Sequence, residues 1–303
     1  MDGIFNVNKP KGMTSHDVVN VVRRASSIRR VGHAGALDPA AEGVLLICVG
    51  KATRVVEYLM ESRKTYCAEV TLGIETDTYD SEGRVVFTAP ASQLNKIALD
   101  DVKDALSTMT GTIEQVPPRF SAIKRQGQPL YKLARAGIQV ELQSRTVEIY
   151  RAEVLNWQPP VVRIEIECSK GTYIRSFAHD LGQRLKCGAY LSRLVRLASG
   201  RFSINDALPV SIVEDIIRRG CWESVIYPLD GALLDFGAVI LGEESQRAIV
   251  SGQTWAPRER ELTDEMAARI HGLCRAYSLE GEIVGLLKLD RQTRRWQPEK
   301  VFV

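Results

Sequence analysis

The chain has 303 residues, 45% of them hydrophobic and 25% charged, which suits one large domain or a large domain with a smaller companion. Its formal net charge of +3 says little about partners, and its longest apolar run, residues 44–49, is far too short to span a bilayer. Cys48, Cys67, Cys168, Cys187, Cys221 and Cys274 form no CxxC pair and read as reduced thiols, and four scattered histidines give no metal-ligand spacing.

Met1-Asp2-Gly3-Ile4-Phe5-Asn6 carries no basic start ahead of an apolar core, so it is not a signal peptide. Ile4, Phe5 and Val7 read as a short strand that ends in the turn chemistry of Asn8-Lys9-Pro10-Lys11-Gly12. Ser15 is expected to cap a helix with Val18, Val19, Val22 and Ile28 on one face. Residues 32–39 show no clean periodicity and read as a loop. Residues 44–49 form a buried strand, and Val55, Val56, Leu59 and Met60 mark a short amphipathic helix. Residues 64–72 alternate, which places Tyr66, Ala68, Val70 and Leu72 on one face of a strand.

A helix is expected over 99–109, opened by Asp100 or Asp101 and stopped at Gly111. Residues 117–143 are polar, basic and punctuated by Pro117, Pro118, Gly127 and Gly137, as in an inserted arm with a short helix around 130–135. Strands follow at 147–155 and 162–168, then a helix at 175–185 after the Gly171-Thr172-Tyr173 turn. Near 227–235 the pattern changes. A helix at 243–250 and strand-like runs at 273–279, 283–289 and 300–303 predict a small β-rich module. No internal repeat is visible.

Charge is uneven. Residues 170–201 carry seven Lys or Arg and one acid, Asp180, and residues 119–151 carry seven basic residues against Glu141 and Glu148. Two basic blocks on a near-neutral chain suit phosphate contacts, although a solvated helical face explains them equally well.

Asp38 admits two readings. Asp followed by Pro is a standard helix start, with Asp as N-cap and Pro39 at the first helical position. Any such helix must end by Gly43, however, and a Gly-His-Ala-Gly-Ala run before an acid also suits backbone passing close to a ligand. Arg175 reads alone as a phosphate contact or a surface charge, and Tyr66 as a core residue on an alternating strand.

Five stretches together resemble the TruB family of tRNA pseudouridine synthases. Gly32-His33-Ala34-Gly35-Ala36-Leu37-Asp38-Pro39, with Ala41, Gly43 and Val44-Leu45, looks like its catalytic motif. Asn8 to Asp17 resembles its first motif. Lys64-Thr65-Tyr66, Leu72-Gly73 and Thr76-Asp77-Thr78 match the following strand and turn. Pro117-Pro118 through Ser121-Ala122-Lys124 to Gly137 resembles the RNA-contacting arm, and Ser169 to Ser176 the third motif. The match runs in order from residue 5 to about residue 205. Ala34 stands where Thr is more usual, Phe120 replaces a common Tyr, and Val195 and Leu197 interrupt a stretch that often reads Arg-Arg-Thr.

The resemblance implies an α+β fold with a mixed, largely antiparallel sheet in a catalytic domain (1–232, with the arm at about 117–145) and a PUA-like RNA-binding barrel (233–303). It implies isomerisation of uridine 55 in the T loop of tRNA, without cofactor or metal, by a cytoplasmic monomer that needs no guide RNA, obligate protein partner or membrane. Asp38 is then the catalytic carboxylate, Arg175 its counter-charge, and Tyr66 the aromatic that stacks on the target base. His33, Tyr173 and Leu194 shape the uridine pocket. Lys124, Arg125, Lys132, Arg135 and Lys170 contact RNA, and Lys9 and Pro10 support the active loop. A non-catalytic RNA-binding or tRNA-folding protein is the alternative, since it needs the basic patches but not the carboxylate.

Overall fold

The computed structural model describes residues 1–118, 124–125, 128–129, 142–257 and 272–302. The chain opens with β1 (Gly3–Lys9), almost wholly buried. Helix α1 (Ser15–Ser26) is capped by Thr14 and not by Ser15. The Thr14 hydroxyl accepts from the Asp17 N–H at 3.0 Å, and the Asp17 carboxylate accepts from the Thr14 N–H at 2.8 Å. Two otherwise orphaned amides are thus satisfied reciprocally.

Part of the expected loop at 32–39 is a strand. β2 (Val31–Ala34) pairs antiparallel with β3 (Glu42–Val49), and the ladder supplies the order that two small residues and a histidine do not encode locally. A 3-10 turn (Gly50–Val55) leads into α2 (Val56–Glu61), then β4 (Lys64–Leu72). β5 (Ile74–Thr76) and β6 (Val85–Thr88) form a small ladder, followed by α3 (Ala91–Leu94), α4 (Leu99–Ser107) and β7 (Gly111–Gln115). Of the expected arm, only the short ladder of β8 (Lys124–Arg125) with β9 (Gln128–Pro129) is described. Lys132, Arg135 and the helix expected at 130–135 lie outside the described residues.

β10 (Arg145–Gln158) and β11 (Val161–Cys168) precede α5 (Ile174–Arg184), β12 (Ala189–Ser199), β13 (Phe202–Ser203), β14 (Leu208–Pro209) and α6 (Val210–Arg218). Among the described residues, one ten-stranded sheet runs β14-β1-β3-β12-β4-β11-β10-β7, with β2 on β3 and β13 on β12. Among the described pairings of this sheet, only β1–β14 and β3–β12 are parallel.

Both faces of this sheet are covered, which explains the continuous apolar run of β3. One face of β1 and β3 packs Phe5, Val7, Leu45 and Ile47 against Val18, Val19 and Val22 of α1 and Val213 and Ile217 of α6. On β4 and β11, Ala68, Val70, Ile164 and Ile166 pack against Phe177, Ala178 and Leu181 of α5.

The C-terminal unit contains α7 (Glu243–Val250) and a four-stranded sheet, β15 (Gly237–Ile240), β16 (Leu273–Tyr277), β17 (Ile283–Asp290) and β18 (Arg295–Val301). Part of the barrel expected here falls on 258–271, outside the described residues. Leu286 and Phe302 of this unit join a core with Ile4, Leu46, Leu229 and Leu233. Tyr277 donates to Asp230 at 2.7 Å, and Lys300 donates to the Arg54 carbonyl at 2.9 Å.

Candidate active site

The seven residues between β2 and β3 form a braced loop. Ser15, released from capping, accepts from the Leu37 N–H at 2.8 Å and donates to the Leu37 carbonyl at 3.1 Å. The Gly12 N–H donates to the Pro39 carbonyl at 2.8 Å. Lys9, fully buried, donates to the carbonyls of Pro10 at 2.9 Å, Met13 at 2.7 Å and Pro39 at 3.4 Å. Burial pulls its pKa down to about 8, against the opposing pull of the Asp38 charge. The Asp38 carbonyl accepts from the Ala41 N–H at 3.0 Å, which closes a turn where a helix start was one reading.

The Asp38 carboxylate points at Arg175, with Oδ2 3.0 Å from Nε. The arginine side chain is 7% exposed and the carboxylate 50%. A second acid holds the same guanidinium: Asp80 Oδ2 lies 3.3 Å from the Arg175 terminal nitrogen, and the Thr78 carbonyl 3.5 Å. Asp80 is itself fixed by the Thr78 hydroxyl at 2.6 Å and the Glu82 N–H at 3.0 Å.

Asp38 and Arg175 face a cavity of about 610 Å³ between the Asp38 loop, the ends of β4 and β12, and the start of α5. Tyr66, Tyr173 and Leu194 line it, as expected, together with Asp38, Arg175 and Lys170. Gln115 fixes the backbone of Tyr173, its side-chain oxygen accepting from the Tyr173 N–H at 2.7 Å and its amide donating to the Tyr173 carbonyl at 3.1 Å. Burial raises the pKa of Tyr66, so its phenol is neutral at neutral pH. His33 is not among the lining residues. It sits partly buried on β2, where burial lowers its pKa. Pro10 lies beneath the loop only through its carbonyl on Lys9.

Sequence reasoning missed three residues of this site. Asp80 lies two positions past the Thr76-Asp77-Thr78 stretch, and an acid inside that turn was the available signal. Lys64 lines the cavity while nearly buried, its ammonium on the carbonyls of Leu59 at 3.4 Å and of Met60 and Ser62 at 2.5 Å. It thereby caps the end of α2, and burial lowers its pKa to about 8. Arg196 also lines the cavity, 1% exposed.

Lys64, Arg145, Lys170, Arg175 and Arg196 face Asp38 and Glu61 around the cavity, an excess of positive charge that suits a phosphodiester chain. Among the described residues no cluster of side chains is arranged to hold a metal ion. No helix among them is long and apolar enough to cross a membrane.

Comparison with known proteins identifies the family. The family model "TruB family pseudouridylate synthase (N terminal domain)" matches residues 23–174. The tRNA pseudouridine synthase B of Dehalococcoides mccartyi is 42% identical over 303 residues, 100% of this chain and 97% of that protein. That of Symbiobacterium thermophilum is 51% identical over 210 residues, 68% of this chain and 69% of the relative. A chain in the crystal structure of a Cbf5-Nop10-Gar1 complex superposes with a TM-score of 0.72 at 26% identity, over 99% of this chain and 85% of its own. The chain belongs to the TruB family of pseudouridylate synthases.

Proposed function

We propose that the protein isomerises uridine to pseudouridine at position 55 in the T loop of tRNA, acting alone. The observation that carries this reading is the Asp38–Arg175 pair, half open at the wall of a cavity lined with cations and bounded by Tyr66. The relatives named tRNA pseudouridine synthase B support tRNA as the substrate, and the family resemblance supplies the T-loop position.

The reaction detaches the base from ribose C1′ at N1, rotates it, and rejoins it through C5. The C5 proton leaves and N1 gains one, so atoms balance with no redox step. Asp38 is the group that acts on the ribosyl unit, and a guanidinium 3.0 Å away holds its carboxylate in place. Tyr66 offers a ring for stacking and a neutral hydroxyl for proton movement. Tyr173 and Leu194 bound the space the base occupies. Reaching that cavity requires the nucleotide to leave its stack, at a cost of a few kcal/mol that is lowest in loops.

We read residues 1–232 as the catalytic domain and 233–303 as an RNA-binding unit, with Lys170 at the cavity rim and the arm around Lys124 and Arg125 contacting the tRNA backbone. A tRNA substrate supports a cytoplasmic location. Tritium release from C5-labelled uridine in a tRNA transcript, with purified protein alone, tests the proposal. Release that survives Asp38→Ala rejects Asp38. Binding without release favours the non-catalytic RNA-binding reading, and release only after adding a guide RNA rejects the stand-alone one.

A further inference from the structure

Tyr79, the residue between Thr78 and Asp80, has a φ of +65°. A bulky side chain is disfavoured in this left-handed region, because its Cβ crowds the following carbonyl oxygen. Such a residue persists only where its surroundings hold it, and it is a reason to look for function. Two contacts hold it here. The Leu191 N–H of β12 donates to the Tyr79 carbonyl at 2.9 Å. The Tyr79 ring stacks on the imidazole of His179, with centroids 4.0 Å apart and planes 13° from parallel.

His179 lies four residues beyond Arg175 on α5, so the two side chains leave the same face of that helix. The helix therefore grips the turn at two successive positions. Arg175 donates to the Thr78 carbonyl and pairs with the Asp80 carboxylate, and His179 packs on the ring of the residue between them. Nδ1 of His179 is buried with no hydrogen-bond partner among the described residues. A buried nitrogen without a partner is unfavourable, so this position is served by the ring and not by Nδ1.

The main chain of Asp80 is held from its own side. The Thr76 hydroxyl donates to the Asp80 carbonyl at 2.7 Å, and Asp80 bridges Leu191 of β12. Neither contact sets how the chain enters residue 80, which the left-handed Tyr79 does. At 3.3 Å the Asp80–Arg175 contact is long for a charge-assisted bond, so a small displacement of residue 80 loses it.

We propose that Tyr79 and His179 are a positioning pair. Their stack fixes the strained backbone before Asp80, which sets the reach of the Asp80 carboxylate to Arg175 and, through Arg175, the resting place of Asp38. The effect on rate rests on the isomerase reading above, whereas the placing of Asp80 needs no substrate.

The test uses the full-length protein. Tyr79→Gly, Tyr79→Phe, His179→Ala and His179→Phe are each made alone and with Asp80→Asn. Glycine adopts a positive φ without penalty, so Tyr79→Gly removes the ring and relieves the strain together, and its thermal midpoint changes little. Tyr79→Gly and His179→Ala nevertheless lower the single-turnover rate on saturating tRNA by about five- to tenfold, because small misplacements near reacting groups are costly. The tRNA Kd changes less than about threefold, since uniform binding is not what is removed. Tyr79→Phe and His179→Phe keep a ring on each side and stay within about twofold of the wild-type rate. With Asp80→Asn present, removing either ring costs about twofold or less, the carboxylate through which the pair acts being gone. The proposal is overturned by wild-type rates without the rings, by equal losses in the two backgrounds, or by rates that merely follow the thermal midpoints.

Hydrogen exchange gives a readout without substrate. The Glu82 N–H donates to the Asp80 carboxylate at 3.0 Å, and the Leu191 N–H donates to the Tyr79 carbonyl. In His179→Ala, where residue 79 itself is unaltered, both amides exchange faster than in wild type. Unchanged exchange overturns the placing of Asp80 by the stack. A wild-type protein inactive on tRNA rejects the functional reading, while the exchange result still decides the positioning.

Discussion

The guanidinium of Arg175 is nearly buried while the Asp38 carboxylate it pairs with is half exposed, 3.0 Å away. Breaking such a pair strands the buried charge more severely than the exposed one. The arginine is also held in orientation by Asp80, so its planar fork sets where the Asp38 oxygen rests. Arg175→Lys keeps the charge but loses the fork. It is expected to lower the single-turnover rate by about 100-fold or more, the scale seen when a charge-stabilising donor is lost from an active site, with tRNA affinity little changed. A rate within a few-fold of wild type rejects the role given to Arg175.

Asp80 touches Arg175 and not Asp38, so its effect is indirect. Asp80→Asn keeps the shape and an oxygen for the Thr78 and Glu82 donors but removes the negative charge that balances Arg175. The guanidinium then bears on Asp38 alone. The rate should fall by roughly tenfold, less than for Arg175→Lys, in keeping with a residue that orients a neighbour. The order of the two losses is the measurement: Asp80→Asn more damaging than Arg175→Lys contradicts this account.

Much of the site was legible because its residues lie in short local strings. Read alone, Asp38 with Pro39 also suits a helix start, Tyr66 a core position and Arg175 a phosphate contact, and only the five stretches together single them out, whereas 64–72 and 243–250 match the observed elements end to end. What stayed hidden is tertiary. β12 lies between β3 and β4, yet Arg193 and Arg196 broke its alternation and made it read as a basic patch. Arg196 is buried where two carbonyls from other elements, those of Gly35 and Val44, converge on it. β2 could not be seen from 31–34 alone, because its order comes from pairing with β3.

Stability above neutral pH should show two opposing contributions. Lys9 and Lys64 have folded pKa values of about 8, below the 10.5 of an unfolded lysine. From about pH 8 to 10.5 the unfolded chain therefore binds more protons at these sites, and stability rises with pH. Cys48 and Cys168 are pushed by burial up to about 12 and about 11, above an ordinary 9. There the folded state holds the extra protons, so stability falls as pH rises through 9 and beyond. Denaturant midpoints measured from pH 7 to 10 should thus rise from about pH 8 and level off between about 9 and 10, where the two contributions cancel. Lys64→Met flattens the rise, and Cys48→Ala extends it. A midpoint that drops steadily from pH 8 in the wild-type protein contradicts the lysine assignment.

Lys170 stands at the cavity rim, partly exposed and paired with Glu61 at 2.5 Å. An exposed pair of this kind contributes little to folding, so Lys170→Ala should leave thermal stability nearly unchanged. If Lys170 meets a tRNA phosphate, it releases counterions on binding, and its loss weakens affinity for all tRNA sequences alike. The slope of log Kd against log salt should then fall by about one unit of contacted phosphate. An unchanged slope means that the rim lysine serves only Glu61.

Gly43 is where the backbone itself limits the sequence. Its φ is +103°, and a Cβ placed there would lie 2.2 Å from the Arg196 carbonyl oxygen and 2.8 Å from the Arg196 nitrogen. The obstacle is backbone of the neighbouring strand, which cannot rotate out of the way as a side-chain tip can. Gly43→Ala therefore combines a disfavoured left-handed conformation with a steric clash at the β3–β12 ladder, directly behind the Asp38 loop. The substitution is expected to cost about 3 kcal/mol or more, the range reserved for strain at special backbone positions. Gly12→Ala is the control. Its φ of +92° is similar, but no atom lies within 4 Å of the added carbon, so only the conformational penalty applies. Urea unfolding of both variants separates the two effects, and equal destabilisation would mean that the close approach of β12 to the loop stem carries no weight of its own.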